Sequence, residues 1–191
     1  MAEPRFPDPV LLIVAAFSRH AEAIAWARER LESMFGAVGL GSLPFAFNQT
    51  TYYEPTMGPG LRKQFFVFQE LVPADCLPKT KRRTNDLEAE LAGTGTYPEP
   101  RPLNLDPGVL SLGKFLLATT KDQAHRIYLR DGMFAEVTLR YQAGAFEPWP
   151  WTYADYREPG IRAFLQDARD FYRRRVLEDR SQGEEDPHVT A

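Results

Sequence analysis

Apolar and polar positions run along this chain in three rhythms, and each rhythm predicts an element. Val10-Leu11-Leu12-Ile13-Val14-Ala15-Ala16-Phe17 is unbroken and of strand length, the pattern of a central strand covered on both faces. Ile24, Ala27, Leu31 and Met34 or Phe35 then mark one helical stripe, with Ser18 as its predicted cap and Gly36 and Gly39 as its stop. Phe45 and Phe47 sit at strand spacing, in a segment predicted to continue to Glu54. After the turn at Met57-Gly58-Pro59-Gly60, the run from Leu61 to Leu71 predicts an antiparallel partner. A second helix is expected from an Asp75 cap to about Ala92, with Pro78 in its first turn and Gly93 at its end.

The second half changes rhythm. Pro102-Leu103-Asn104-Leu105-Asp106 reads as a short strand ending at the Asp106-Pro107-Gly108 turn. Leu112, Phe115, Leu116 and Thr119 fall at helical spacing, so Val109 to Thr119 is expected to be a short helix. His125–Leu129, Met133–Tyr141 and Ala145–Trp149 alternate as strands, joined by turns at Arg130-Asp131-Gly132 and Ala143-Gly144. Glu158-Pro159 opens a last helix, with Ile161, Phe164, Leu165, Ala168, Phe171 and Tyr172 on one face. The expectation is a single α+β domain over 10–177. It has a mixed or antiparallel sheet, a ferredoxin-like βαββαβ start, added C-terminal hairpins and a closing helix. Residues 1–9 are expected to be a loose arm and 178–191 a disordered acidic tail.

Composition narrows the function more by exclusion than by naming it. At 191 residues, with 43% hydrophobic and 13% aromatic side chains, the chain can bury a core. A net charge of −3 gives no global attraction to nucleic acid or anionic membrane. No stretch approaches the roughly 20 apolar residues of a membrane span, and the acidic, proline-broken start does not read as a secretory signal. One cysteine, Cys76, and three scattered histidines argue against zinc, haem and iron–sulfur, and suit a reducing cytoplasm. Cys76 itself reads as a semi-buried structural residue.

Chemistry concentrates between Asn104 and Tyr156, where polar residues interrupt strand-like apolar runs. Lys114, Lys121, His125 and Arg126 form a basic set able to converge at one sheet end and hold a phosphate or carboxylate. Strand alternation puts Glu136, Thr138 and Arg140 on the face opposite Val137 and Leu139. If that face borders a cleft, Glu136, His125 and Asp106 are acid–base candidates, and Asp106 with Glu136 could hold magnesium. On the second helix, Lys81, Thr84, Asn85 and Glu88 share a face that could wall the same cleft; Asn104 would sit beside it. Gly108 to Lys114 matches the spacing of a phosphate loop, yet Phe115 stands where a Ser or Thr is required. That spacing reads as coincidence, so nucleotide or GTP binding through a degenerate loop ranks last. The Lys79–Arg83 run and the aromatic segment Trp149, Trp151, Tyr153, Asp155 and Tyr156 leave a non-enzymatic RNA- or protein-interaction module as the alternative.

Several of these segments together resemble a prokaryotic family, the domain of unknown function 4416. They are Tyr52-Tyr53-Glu54 with Met57-Gly58, Thr84-Asn85-Asp86-Leu87-Glu88, Asn104-Leu105-Asp106-Pro107-Gly108, Leu117 to Asp122, His125 to Leu129, Ala135 to Leu139 and Pro148 to Tyr156. The likeness spans roughly residues 8–176 and implies no activity. The functional expectation therefore comes from the residues: a cytoplasmic domain whose polar cleft holds a small anionic ligand.

Overall fold

The structure, a computed structural model, describes residues 3–184, with side chains through Glu178. The elements in chain order are β1 (Val10–Ser18), α1 (Ala21–Phe35), β2 (Val38–Gly41), β3 (Phe45–Ala46), α2 (Glu54–Met57), β4 (Arg62–Val72) and α3 (Leu77–Gly93). They continue with β5 (Asn104–Leu110), β6 (Lys114–Thr119), β7 (Ile127–Arg130), β8 (Met133–Gln142), β9 (Ala145–Pro148) and α4 (Pro159–Glu184). A short 3₁₀ turn at Asp155–Arg157 precedes α4. Helix α4 runs seven residues into the expected tail, and 185–191 lie outside the described residues.

One antiparallel sheet organises the domain, in the order β2-β4-β1-β5-β6-β8-β7, with β3 on β4 and β9 on β8. Its first four strands, β2-β4-β1-β5, have the order of a split βαβ repeat, which is the ferredoxin-like start expected from the sequence. Every residue of β1 is buried, because the sheet is covered twice. Leu12, Val14 and Ala16 pack with Ile24, Ala27 and Leu31 of α1 and Leu87 and Leu91 of α3. Leu11, Ile13 and Ala15 face Ile161, Phe164, Leu165 and Ala168 of α4. The hairpin turns also form where expected. Asp131 and Gly132 have φ of 56° and 74°, and Ala143 and Gly144 of 50° and 86°, so both central residues are left-handed and the strands keep their twist.

Other expectations are corrected. Val109–Thr119 is not a helix: β5 and β6 form a hairpin with Leu110 opposite Phe115, closed where the Ser111 N–H donates to the Lys114 carbonyl at 3.0 Å. The helical spacing was a coincidence of two strands and a tight turn. It also removes the phosphate-loop resemblance, since Gly108 and Lys114 sit in opposite strands instead of in a loop opening a helix. Gly108 serves packing: a Cβ there would lie 2.4 Å from the Leu116 carbonyl oxygen, whereas one at Gly113 would meet nothing within 4 Å.

The segment after β3 bends into α2 rather than extending to Glu54. Ser18 does not cap α1. Its hydroxyl accepts the His20 N–H at 3.0 Å and donates to the Pro102 carbonyl at 2.6 Å, tying the β1–α1 turn to the approach to β5. Cys76, not Asp75, occupies the N-cap position of α3, without a side-chain cap. Burial pushes the half-buried Cys76 thiol up, as a structural cysteine requires.

Asp106-Pro107-Gly108 is not a turn but part of β5, and the way it continues creates the site. The sheet splits here. β5 pairs β6 only from Gly108 to Leu110, while β1 accompanies β5 from Asn104 to Leu110. The edge of β5 at residues 104–107 is therefore open toward β6. An open edge leaves backbone groups that must find partners. Helix α3 supplies them: Lys81 Nζ donates to the Leu105 carbonyl at 2.7 Å, and Glu88 Oε1 accepts the Leu105 N–H at 2.8 Å. Pro107 is two residues on and in the same phase, so its missing N–H would have pointed into the split.

Candidate functional site

The split in the sheet is the floor of a cleft of about 400 Å³. Asn104 and Asp106 of β5 line one side, and Leu117, Ala118 and Thr119 of β6 the other. Phe47, Tyr52 and Tyr53 come from the segment around α2, Lys121 and Arg126 from the β6–β7 connection, and Trp151 with Tyr153 to Tyr156 from the approach to α4. Asp106, Lys121, Arg126 and Glu136, expected to share a hollow, do line this one cleft.

Glu136 reaches the cleft through a bulge. Phe115 opposes Leu139 but Leu116 opposes Val137, so Thr138 is an extra residue in β8. Alternation is reset there, and Glu136 falls on the same face as Leu139, not the opposite one. Its side chain is 1% exposed. Oε2 lies 2.9 Å from Arg126 Nε and 3.3 Å from His125 Nε2, and Oε1 accepts the Thr138 hydroxyl at 3.2 Å. Arg126, itself 2% exposed in its side chain, also donates to the Lys121 carbonyl at 3.0 Å and the Tyr153 hydroxyl at 2.6 Å. This buried pair is largely self-satisfied, so Arg126 holds the wall together more than it offers a free cation.

His125 does not line the cleft. It stacks on Trp151 at 5.4 Å, Trp151 on Trp149 at 5.1 Å, and the Arg140 guanidinium lies 4.6 Å from the Trp149 ring. The tryptophans are thus spent largely on each other. Lys114 leaves the basic set: at the far end of β6, it lines a separate, mainly apolar hollow. Thr84 is buried and donates to the Lys81 carbonyl, and Asn85 is half-buried on α3; neither lines the cleft. Of the polar face expected on α3, only Lys81 lines it, while Glu88 caps β5 beside it. The basic run is divided as well, since Lys81 is buried and Arg83 lies over the Phe35 ring at 4.9 Å.

The sequence reading missed two cations. Lys63 is 3% exposed, bonded to Asp155 Oδ2 at 2.5 Å and boxed by the Phe17, Phe47 and Tyr156 rings at 4.7–4.9 Å. Its phase was readable, because Lys63 shares a strand face with the apolar Phe65 and Val67 of β4. Arg101 contacts Glu88 at 3.0 Å and donates to Asn104 Oδ1. No pattern signals that role, as Arg101 lies in a proline-rich connector.

What remains uncommitted is informative. Arg101 takes Asn104 Oδ1, which leaves Nδ2 as a donor, and this buried nitrogen has no partner among the described residues. The Tyr156 hydroxyl is also buried and unpartnered among them. Burial pushes Tyr156 well above the usual phenol range and Tyr153 up to about 12, so both remain neutral donors. Lys121 is exposed at the rim, 3.0 Å from the Tyr52 hydroxyl, with no carboxylate ion-paired to it among the described residues. Five cations (Lys63, Lys81, Arg101, Lys121, Arg126) line the cleft with three carboxylates (Asp106, Glu136, Asp155). No group of three or more His, Cys, Asp or Glu poised for a metal occurs among the described residues, and Glu136, expected to share magnesium with Asp106, is occupied by Arg126. No described helix is long and apolar enough to cross a membrane.

Comparison with known proteins adds the family and no activity. No curated protein and no solved structure matches the chain. The family model described as domain of unknown function 4416 matches residues 8–172, from just before β1 into the second half of α4. The chain therefore belongs to the domain of unknown function 4416 family.

Proposed function

We propose that the cleft binds a small oxyanion-bearing ligand, with a phosphate or carboxylate received by Lys121, Asn104 and Tyr156. The observation that carries this reading is the pair of buried donors without partners in the same hollow as a cation without a carboxylate. A buried polar group left unsatisfied costs about 1–3 kcal/mol, so such groups are kept where something else satisfies them. Both groups donate, and the lining cations outnumber the carboxylates. The complementary ligand is an acceptor with negative charge. Arg126, His125 and Glu136 then act as positioning residues, fixing the wall from which Lys121 and Tyr153 project. The unpaired Cys76 suits a cytoplasmic setting.

Thermal unfolding with inorganic phosphate, citrate or ribose 5-phosphate, each against chloride at matched ionic strength, tests the reading. A ligand at about a hundredfold excess over its Kd adds about 2.7 kcal/mol, which raises Tm by about 5–10 °C in a chain of this size. At least one of the three anions is expected to do so, and Lys121→Ala is expected to lose most of the gain. Wild-type protein unmoved by all three, or a Lys121→Ala variant that gains as much, contradicts the assignment.

A further inference from the structure

Asp106 does not fit a bare anion. It stands in the same cleft as the orphan donors, and its side chain is 26% exposed. Among the described residues its side-chain partner is Lys81 Nζ at 3.5 Å, and that ammonium is engaged more closely, at 2.7 Å, by the Leu105 carbonyl. An oxyanion entering alone would meet an incompletely paired carboxylate of its own sign. The ligand must therefore bring a hydrogen-bond donor as well as an acceptor. An ammonium is the poorer donor here, because Lys81 already lies beside Asp106 and the lining carries more cations than carboxylates. A hydroxyl donates to a carboxylate without adding charge. Phe47, Tyr52, Tyr53 and Trp151 also line the cleft, which gives it a mixed apolar and polar character, and the volume suits a molecule larger than free phosphate.

We infer that the ligand is a hydroxyl-bearing phosphate ester of the sugar-phosphate class, its phosphate on Asn104, Tyr156 and Lys121 and a ring hydroxyl on Asp106. This rests on the anion reading above and makes it selective. Three phosphate monoesters separate the possibilities by calorimetric titration: methyl phosphate has no hydroxyl, O-phosphoethanolamine carries an ammonium, and ribose 5-phosphate carries hydroxyls.

Ribose 5-phosphate is expected to bind wild-type protein about tenfold or more tighter than methyl phosphate, the discrimination a hydrogen bond to a charged group provides. Asp106→Asn is nearly isosteric, removes the charge and turns one acceptor oxygen into a donor. It is expected to weaken ribose 5-phosphate, to leave methyl phosphate as tight or tighter, and so to collapse the ratio. Methyl phosphate binding as tightly as ribose 5-phosphate to wild-type protein overturns the inference and leaves the anion reading standing. O-phosphoethanolamine as the tightest of the three overturns the hydroxyl assignment in favour of an ammonium. Binding by none of them overturns this inference, and with an equally silent citrate titration the anion reading too. The wild-type comparison decides the matter even where Asp106→Asn does not fold.

Discussion

Replacing Asp155 with alanine is expected to destabilise the protein by about 3–5 kcal/mol at pH 7, the cost of leaving one member of a buried ion pair without its partner. Lys63 and Asp155 are 3% and 6% exposed in their side chains, and their 2.5 Å contact joins β4 to the approach to α4. Three aromatic rings surround the ammonium, and they offset only part of the lost carboxylate. Denaturant unfolding at pH 7 measures the loss. A loss below about 1 kcal/mol contradicts the packing described for Lys63.

Glu136→Gln is expected to be of similar severity, again about 3–5 kcal/mol, because it strands the Arg126 guanidinium in a wall where its side chain is 2% exposed. The amide keeps acceptor capacity for Thr138 but not the charge that balances Arg126. Removing both partners, Glu136→Gln with Arg126→Met, should recover much of the loss, since no uncompensated charge then remains. A double-mutant cycle by urea unfolding gives the coupling between them. Additive losses would mean that the pair is not the unit the structure presents.

How much of this was legible in the sequence depends on which interactions are local. The apolar run Val10–Phe17 announced a strand covered on both faces, and Asp131-Gly132 and Ala143-Gly144 announced their turns, because strand burial and left-handed turns act within a few residues. Glu136 was recognised as important but placed on the wrong face. The bulge at Thr138 is set by how β8 registers against β6, and no residue of β8 announces it. Val109–Thr119 was misread since Leu112, Phe115, Leu116 and Thr119 satisfy helical spacing by chance, while Gly108, which decides the close approach of β5 to β6, looks locally like a turn residue. The split of the sheet is a fact of tertiary structure. So is the consequence that Lys81 and Glu88, seven residues apart on α3, cap a strand instead of forming a free polar surface. Of the residues proposed to touch ligand, Lys121, Asn104 and Asp106 were candidates from the sequence. Tyr156 was read only as part of the aromatic segment, and its unpartnered hydroxyl could emerge only once its surroundings were known.

The side-chain amide of Asn104 reports most directly on whether the orphaned donors receive an anion. In protein labelled with nitrogen-15, titration with inorganic phosphate and, separately, citrate should move the two Asn104 amide-proton resonances along a saturable curve for at least one of them. Protection of those protons from exchange should rise in parallel. The Asn85 side chain, outside the cleft, should stay still in the same spectra. Asn104 resonances that do not move, or that drift linearly together with Asn85, would contradict an anion-binding cleft.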